Sequence, residues 1–329
     1  MRFPTLISTT VLATAGLVAA LGTPASAHEG HGHGSAAAAG QQVRPAAAAP
    51  EPSLAEGVER SRQRAFYFAA TMSGDQEVPT AGGPAVGDPD GRATAVVRVQ
   101  GNRVSFVATW RNQQAATLFH LHEGRRGQNG DVRVTLLGAA LPETVTSVAG
   151  VARVDDARIA RAIVSRPEQF YANLHTKEFP GGATRGQLRP VRGGKLLALL
   201  KGGKFEAFMS GDQEVPTEGG PAVGDRNGRA AGFVTPRNRF LNYAFAWTRI
   251  SEPTLGHIHR GERGTNGDVV VPLFATPIPD GVVALSGTVP VTDAGLLREI
   301  KDRPRDFYLN LHTEEQPGGA VRGQLSARR

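Results

Sequence analysis

Ala93-Thr-Ala-Val-Val-Arg-Val-Gln-Gly-Asn-Arg-Val-Ser-Phe-Val-Ala-Thr-Trp110 reads as two short β-strands folded about a two-residue turn at Gly101-Asn102. Apolar and polar residues alternate on both sides of that turn, as expected of a hairpin with one face in a core. Working outward, the segments Phe66 to Ser73, Thr117 to Glu123, Asp131 to Leu137, Thr144 to Val154, Tyr171 to Thr176 and Ala183 to Leu188 are equally short. Gly, Pro, Asn or Asp bound each of them. Eight short runs punctuated by turn signals predict an antiparallel sandwich or barrel. One helix interrupts the series: Asp155/Asp156 can cap Ala157 to Ser165, Pro167 stops it, and Ile159 and Ile163 lie four residues apart, suited to covering one end.

The whole series occurs twice. Met72-Ser-Gly-Asp-Gln-Glu-Val-Pro79 returns as Met209 to Pro216 and Arg185-Gly-Gln-Leu188 as Arg322 to Leu325, with a constant offset of 137 residues and no gap. A period this long is that of a domain, where solenoid units run to about 20 to 50 residues. The organisation read from the sequence is a leader over 1–27, a His/Ala/Pro-rich segment over 28–64, a first domain over 65–190, a linker over 191–202 and a second domain over 203–327. Each domain is long enough to bury its own core and is expected to fold alone.

Arg2, the apolar run Leu6 to Leu21 and Ala25-Ser-Ala27 read as a secretory leader with a small-residue cleavage site. The expected mature protein is secreted, extracellular or cell-surface associated, with no membrane anchor. The chain has no cysteine, which removes disulfides, thiol nucleophiles and lipid attachment through a thiol. The formal charge of +7 comes from scattered arginines without a basic run. That pattern argues against nucleic acid and leaves an extracellular protein or an anionic cell-surface polymer as partner. Residues 35 to 64 read as a spacer, and the apolar Leu196-Leu-Ala-Leu-Leu200 is expected to pack on a domain.

All histidines beyond residue 33 belong to the repeat: His120, His122 and His175 return as His257, His259 and His312. In a strand, residues two apart share a face, so His120 and His122 project together while Phe119 and Leu121 point the other way. Tyr171, Asn173 and His175 share a face by the same rule. If the two strands are neighbours, three imidazoles converge, a donor set suited to copper or zinc. The alternative is a polar layer in which the histidines bond one another, Asn173 and Glu123. A third set, His28, His31 and His33, would lie at the new amino terminus after cleavage and suits weak copper or nickel chelation. Asp88-Pro-Asp-Gly91 lacks the rest of a calcium loop and reads as an Asx turn. Glu77 and Glu214 are open as ligands or ion-pair partners. No G-x-S-x-G elbow, phosphate loop or dinucleotide fingerprint is present.

Ser73-Gly-Asp-Gln-Glu-Val-Pro79, His120-Leu-His-Glu-Gly124, Tyr171-Ala-Asn-Leu-His-Thr176 and Pro180-Gly-Gly-Ala-Thr-Arg-Gly-Gln-Leu188 resemble the CHRD (chordin-type) domain, and the likeness covers both repeats. It implies an all-β protein of two tandem antiparallel immunoglobulin-like sandwiches, each with one short helix. A more distant similarity runs to copper/zinc superoxide dismutase, through His120-x-His122, His175 and Gly182-x-x-Arg185. It implies copper on the three histidines and an anion-guiding role for Arg185 and Arg322; the bridging histidine, zinc loop and disulfide of that enzyme are missing. Two functions therefore stand side by side: a non-enzymatic extracellular binding module, for a polymer, a protein or metal, and a copper-dependent redox enzyme.

Overall fold

Alternating burial builds the strands where the sequence places them. The computed structural model describes residues 64–193 and 203–328. The leader, the His28, His31 and His33 set, the spacer and the Leu196 to Leu200 insert lie outside the described residues. The first repeat runs β1 (Phe66–Ser73), β2 (Arg92–Gln100), β3 (Arg103–Arg111), β4 (Leu118–Glu123), β5 (Val132–Leu137), β6 (Val145–Arg153), helix α1 (Ala157–Ser165), β7 (Phe170–His175), β8 (Thr184–Gln187) and β9 (Arg189–Pro190). The second repeats it as β10 (Phe205–Ser210), β11 (Arg229–Arg237), β12 (Phe240–Thr248), β13 (Leu255–Arg260), β14 (Val269–Phe274), β15 (Val282–Pro290), helix α2 (Ala294–Asp302), β16 (Phe307–His312), β17 (Val321–Gln324) and β18 (Ser326–Ala327).

Each repeat is an antiparallel sandwich. One sheet is ordered β1-β2-β3-β6 and the other β5-β4-β7-β8, with β1 also touching β8 and β9 at one side. Inward residues such as Ala95, Val97, Phe106, Phe119, Leu121 and Leu174 are fully enclosed between the sheets. The β2–β3 turn has positive φ at Gly101 alone (59°), the form in which glycine holds the first central position and matches the strand twist. Asp156 caps α1 by accepting from the Arg158 amide, and Asp293 caps α2 through the Leu296 amide. Asp88 Oδ1 accepts from the amides of Asp90 and Gly91, so that segment is an Asx turn.

The sequence reading divides the chain into two domains and leaves their arrangement open, which the structure supplies. Strand β6 pairs antiparallel with its own counterpart β15. Val148 faces Leu285, which is the same residue position 137 places later, and the pairs Ser147↔Ser286 and Ala149↔Ala284 flank it symmetrically. The repeats are thus joined about a local twofold axis into one sheet, β1-β2-β3-β6-β15-β12-β11-β10. Thr144 crosses the join, sharing a 2.7 Å hydrogen bond with the Tyr243 hydroxyl and donating to the Leu273 carbonyl at 2.8 Å. The physical reason is the edge: an unpaired β6 would present a row of open backbone donors and acceptors, and the duplicate supplies a matching edge. Among the described residues no helix is long and apolar enough to cross a membrane.

Candidate metal centre

Strands β4 and β7 are neighbours, with His120 opposite Asn173, His122 opposite Tyr171 and Leu118 opposite His175. Phe119 and Leu121 are buried in the core, so the histidines occupy the opposite, outer face of that sheet. His120, His122 and His175 each turn one ring nitrogen inward, and these atoms lie within 4.8 Å of one another; His257, His259 and His312 do the same. His120 Nδ1 and His175 Nε2 are 3.3 Å apart. That is about the separation of two nitrogens sharing one tetrahedral ion at roughly 2.0–2.1 Å.

Two imidazoles of each trio are fixed by backbone oxygen. His122 Nδ1 donates to the Gly130 carbonyl and His175 Nδ1 to the Pro180 carbonyl, both at 2.9 Å. His259 with Gly267 and His312 with Pro317 repeat these bonds at 2.9 Å. Donation through Nδ1 leaves Nε2 as a bare lone pair, the tautomer a metal needs. Buried ring nitrogens without a partner follow: Nε2 of His122, His259 and His312, and Nδ1 of His257.

Burial, then the nearby rings of His175 and His122, depresses His120 from the ordinary 6.5 to about 4; His257 is lowered to about 4 for the same reasons. His122 and His175 are also lowered, chiefly by burial. The same burial favours the neutral imidazole, the form that offers a lone pair, throughout both trios. The alternative polar layer is realised only in one contact, the His120–His175 bond of the first repeat. Glu123 turns to Arg133 at 2.9 Å, and Asn173 turns to Glu77.

Arg185 and Arg322, the residues that the dismutase likeness would use to guide an anion, are each 2 % exposed. The Arg185 guanidinium lies 3.5 Å from the Tyr171 ring centre and donates to Asn129 Oδ1 and to the carbonyls of Arg125 and Gln128. Arg322 holds Tyr308, Asn266, Glu262 and Thr265 in the same way. The Tyr171 ring in turn stacks on His122 at 4.8 Å, and its hydroxyl accepts from the Gly130 amide at 3.3 Å. Arg185 thus ties down the 124–130 loop, whose Gly130 carbonyl orients His122. It is a positioning residue for the trio. The fixing atoms are backbone carbonyls that no residue type announces.

Glu77 makes no ion pair within 4.0 Å among the described residues and pairs with Asn173. Asn173 Nδ2 donates to its Oε2 at 3.4 Å, while Glu77 Oε1 and Asn173 Oδ1 are both buried without a partner. Both of those oxygens face Gly182, where a Cβ would sit 2.6 and 2.8 Å from them and where φ is +137°. Only glycine fits. Burial, partly offset by Arg185 and Asn173, raises the Glu77 carboxyl from 4.5 to about 7, and Glu214 behaves alike. Protonation of Glu77 brings a hydrogen to a pair of side chains in which Glu77 Oε1 and Asn173 Oδ1 both lack a partner.

The family model of the CHRD domain matches residues 68–188 and again 205–325, which is most of the chain. This protein belongs to the CHRD family. The two matches coincide with the two sandwiches, so each CHRD domain carries one histidine trio, one buried arginine and one Glu–Asn pair. No curated protein and no solved structure matches the chain.

Proposed function

We propose that this tandem CHRD protein is a non-enzymatic, extracellular metal-binding module in which each domain holds one copper or zinc ion through His120, His122 and His175 or through His257, His259 and His312. The observation that carries this reading is the set of partnerless, inward-turned ring nitrogens whose tautomers are already fixed by Gly130, Pro180 and their copies. Leaving buried lone pairs unsatisfied costs stability, commonly about 1–3 kcal/mol each, and an ion offsets that cost. The redox-enzyme reading loses its anion guide, since Arg185 and Arg322 are spent on loop carbonyls. Export is expected from the leader-like start of the chain.

The test is a titration of metal-stripped full-length protein with Cu(II) and with Zn(II), read by elemental analysis after desalting against a weak chelator. Two tightly held ions per chain that survive replacement of His28, His31 and His33 by Ala support the paired sites. Retention lost with those tail histidines, or no retained ion at all, overturns the reading.

A further inference from the structure

The outer face of the shared sheet carries a row of hydroxyls that crosses the join between the domains. Thr71 stands opposite Thr94, Thr94 opposite Thr109, Thr109 opposite Ser147, and Ser147 opposite Ser286. One hydroxyl per strand over five strands spans about 19 Å at the usual ~4.8 Å strand spacing. The row forms the floor of a cavity of about 610 Å³, which Asn242 and Thr288 extend on the second domain. Alongside the row, one step along the strands, Arg92 stands opposite Arg111 at the cavity rim.

Thr is a common strand residue, so a hydroxyl row has a plain structural explanation, and the duplication offers an internal control. The equivalent row on the other side of the local twofold is Phe208, Ala231, Ala246, Ala284 and Ala149, paired in the same register. It contains no hydroxyl. Arg111 likewise becomes Thr248, opposite Arg229. Two copies with the same backbone and the same strand pairing thus diverge from five hydroxyls to none. Strand formation does not require the hydroxyls, since the alanine row pairs equally well.

The arginines sharpen the chemistry. Like charges directly opposite on neighbouring strands destabilise a sheet. Arg92 bonds only the carbonyls of Pro89 and Gly91, and Arg111 has no ion pair or hydrogen bond among the described residues. The hydroxyls of Thr94 and Ser286 also have no protein partner there. Ser147 Oγ donates to Thr109 Oγ1 at 2.9 Å, which leaves lone pairs on both oxygens, and two arginines on neighbouring strands beside such a strip of hydroxyls match a ligand rich in hydroxyls that also bears carboxylate or sulfate. The two aromatic residues of the lining, Trp110 and Tyr243, are buried and leave little ring surface for base stacking, the usual platform of single-stranded nucleic acid.

We infer that the groove across the β6–β15 join is a binding site for an acidic oligosaccharide, its hydroxyls on the Thr94–Thr109–Ser147–Ser286 row and an anionic group on Arg92 and Arg111. The site is distinct from the histidine trios and exists only in the tandem protein, because Ser147 and Ser286 come from different domains.

The test uses the full chain and isothermal titration with three probes: oligogalacturonate, a neutral cello-oligosaccharide of the same length, and a single-stranded oligonucleotide of the same charge. Oligogalacturonate is expected to bind, with affinity reduced about tenfold or more by Thr94→Val with Thr109→Val, a pair that preserves shape and β-branching. Arg111→Thr, which installs the residue of the second domain, should also weaken binding and flatten its salt dependence; Arg229→Thr, which removes the same charge outside the groove, should not. Melting temperatures and copper stoichiometry of the variants report folding and the histidine sites separately. Equal binding by all variants, equal binding of the neutral probe, oligonucleotide binding with the same variant sensitivity, or no binding of oligogalacturonate each overturns the inference.

Discussion

Replacing Glu77 and Glu214 by Gln should stabilise the protein at pH 8 and leave it nearly unchanged at pH 4.5. Each carboxyl is raised from 4.5 to about 7 by burial, so it is neutral in the folded protein up to near neutrality. The sign follows from linkage: a folded pKa above the unfolded one favours folding fully below pH 4.5, and that advantage is lost as pH rises through 7. At ~1.4 kcal/mol per pH unit, the displacement corresponds to at most ~3.5 kcal/mol per site. Glu77 is only half-buried as a whole residue, so solvent screening reduces this to about 1–2 kcal/mol per site. Gln has the shape of the protonated acid, and its amide donates to Asn173 Oδ1, which otherwise lacks a partner. In metal-free protein at pH 8 the double variant should therefore gain about 2–4 kcal/mol, a rise in Tm of roughly 5–15 °C. The measurement is thermal and urea unfolding of wild type and variant at both pH values; the comparison at fixed pH cancels the contribution of the histidines. A variant destabilised by similar amounts at pH 4.5 and pH 8 would show that Glu77 is ionised and paired with the field of Arg185, and the neutral acid–amide pair would be refuted.

The histidines titrate in the opposite sense. With His120 and His257 lowered to about 4, metal-free protein should lose stability as pH falls from 6.5 towards 4, and a double variant carrying Glu77→Gln and Glu214→Gln exposes that loss in its melting curve. A flat profile would count against neutral imidazoles. His122→Ala should remove one of the two sandwich-bound ions and leave the trio of His257, His259 and His312 loaded, read as metal per chain; loss of both ions would mean the sites are coupled through the shared sheet. Arg185→Ala should cost about 2–4 kcal/mol by stranding the carbonyls of Arg125 and Gln128, and should weaken metal binding in that repeat through the loosened Gly130. An unchanged melting curve would contradict the positioning role. A fragment of residues 203–329 should associate into a symmetric dimer through the exposed β15 edge, seen by sedimentation; a stable monomer at high concentration would show that the edge does not need a partner.

Strand existence and boundaries were legible because side-chain alternation is a local property. Phe66 to Ser73 and Ala157 to Ser165 match the observed elements residue for residue, and the remaining strands differ by a residue or two at their ends. The same period-2 rule placed His120 with His122, and Tyr171 with Asn173 and His175, on common faces. What the rule could not convey is which backbone carbonyl waits beside a ring. Gly130 and Pro180 fix the tautomers, and any residue can offer a carbonyl at those positions. Arg185 shows the complementary failure: its place in a familiar motif suggests exposure and attraction of anions, while its three loop contacts lie some 60 residues away in the chain.

The sequence by itself determined the class of fold, the duplication and the identity of the three imidazoles, since periodicity, turn residues and an exact offset are written along the chain. How the two copies are joined became visible in the tertiary structure alone. The pairing of β6 with β15 depends on backbone edges, which carry no residue signature, and it alone aligns Thr71, Thr94, Thr109, Ser147 and Ser286 into one row across two domains. Tertiary structure also set the proton occupancy of Glu77 and His120, because burial, and not residue type, shifts a carboxyl up and an imidazole down.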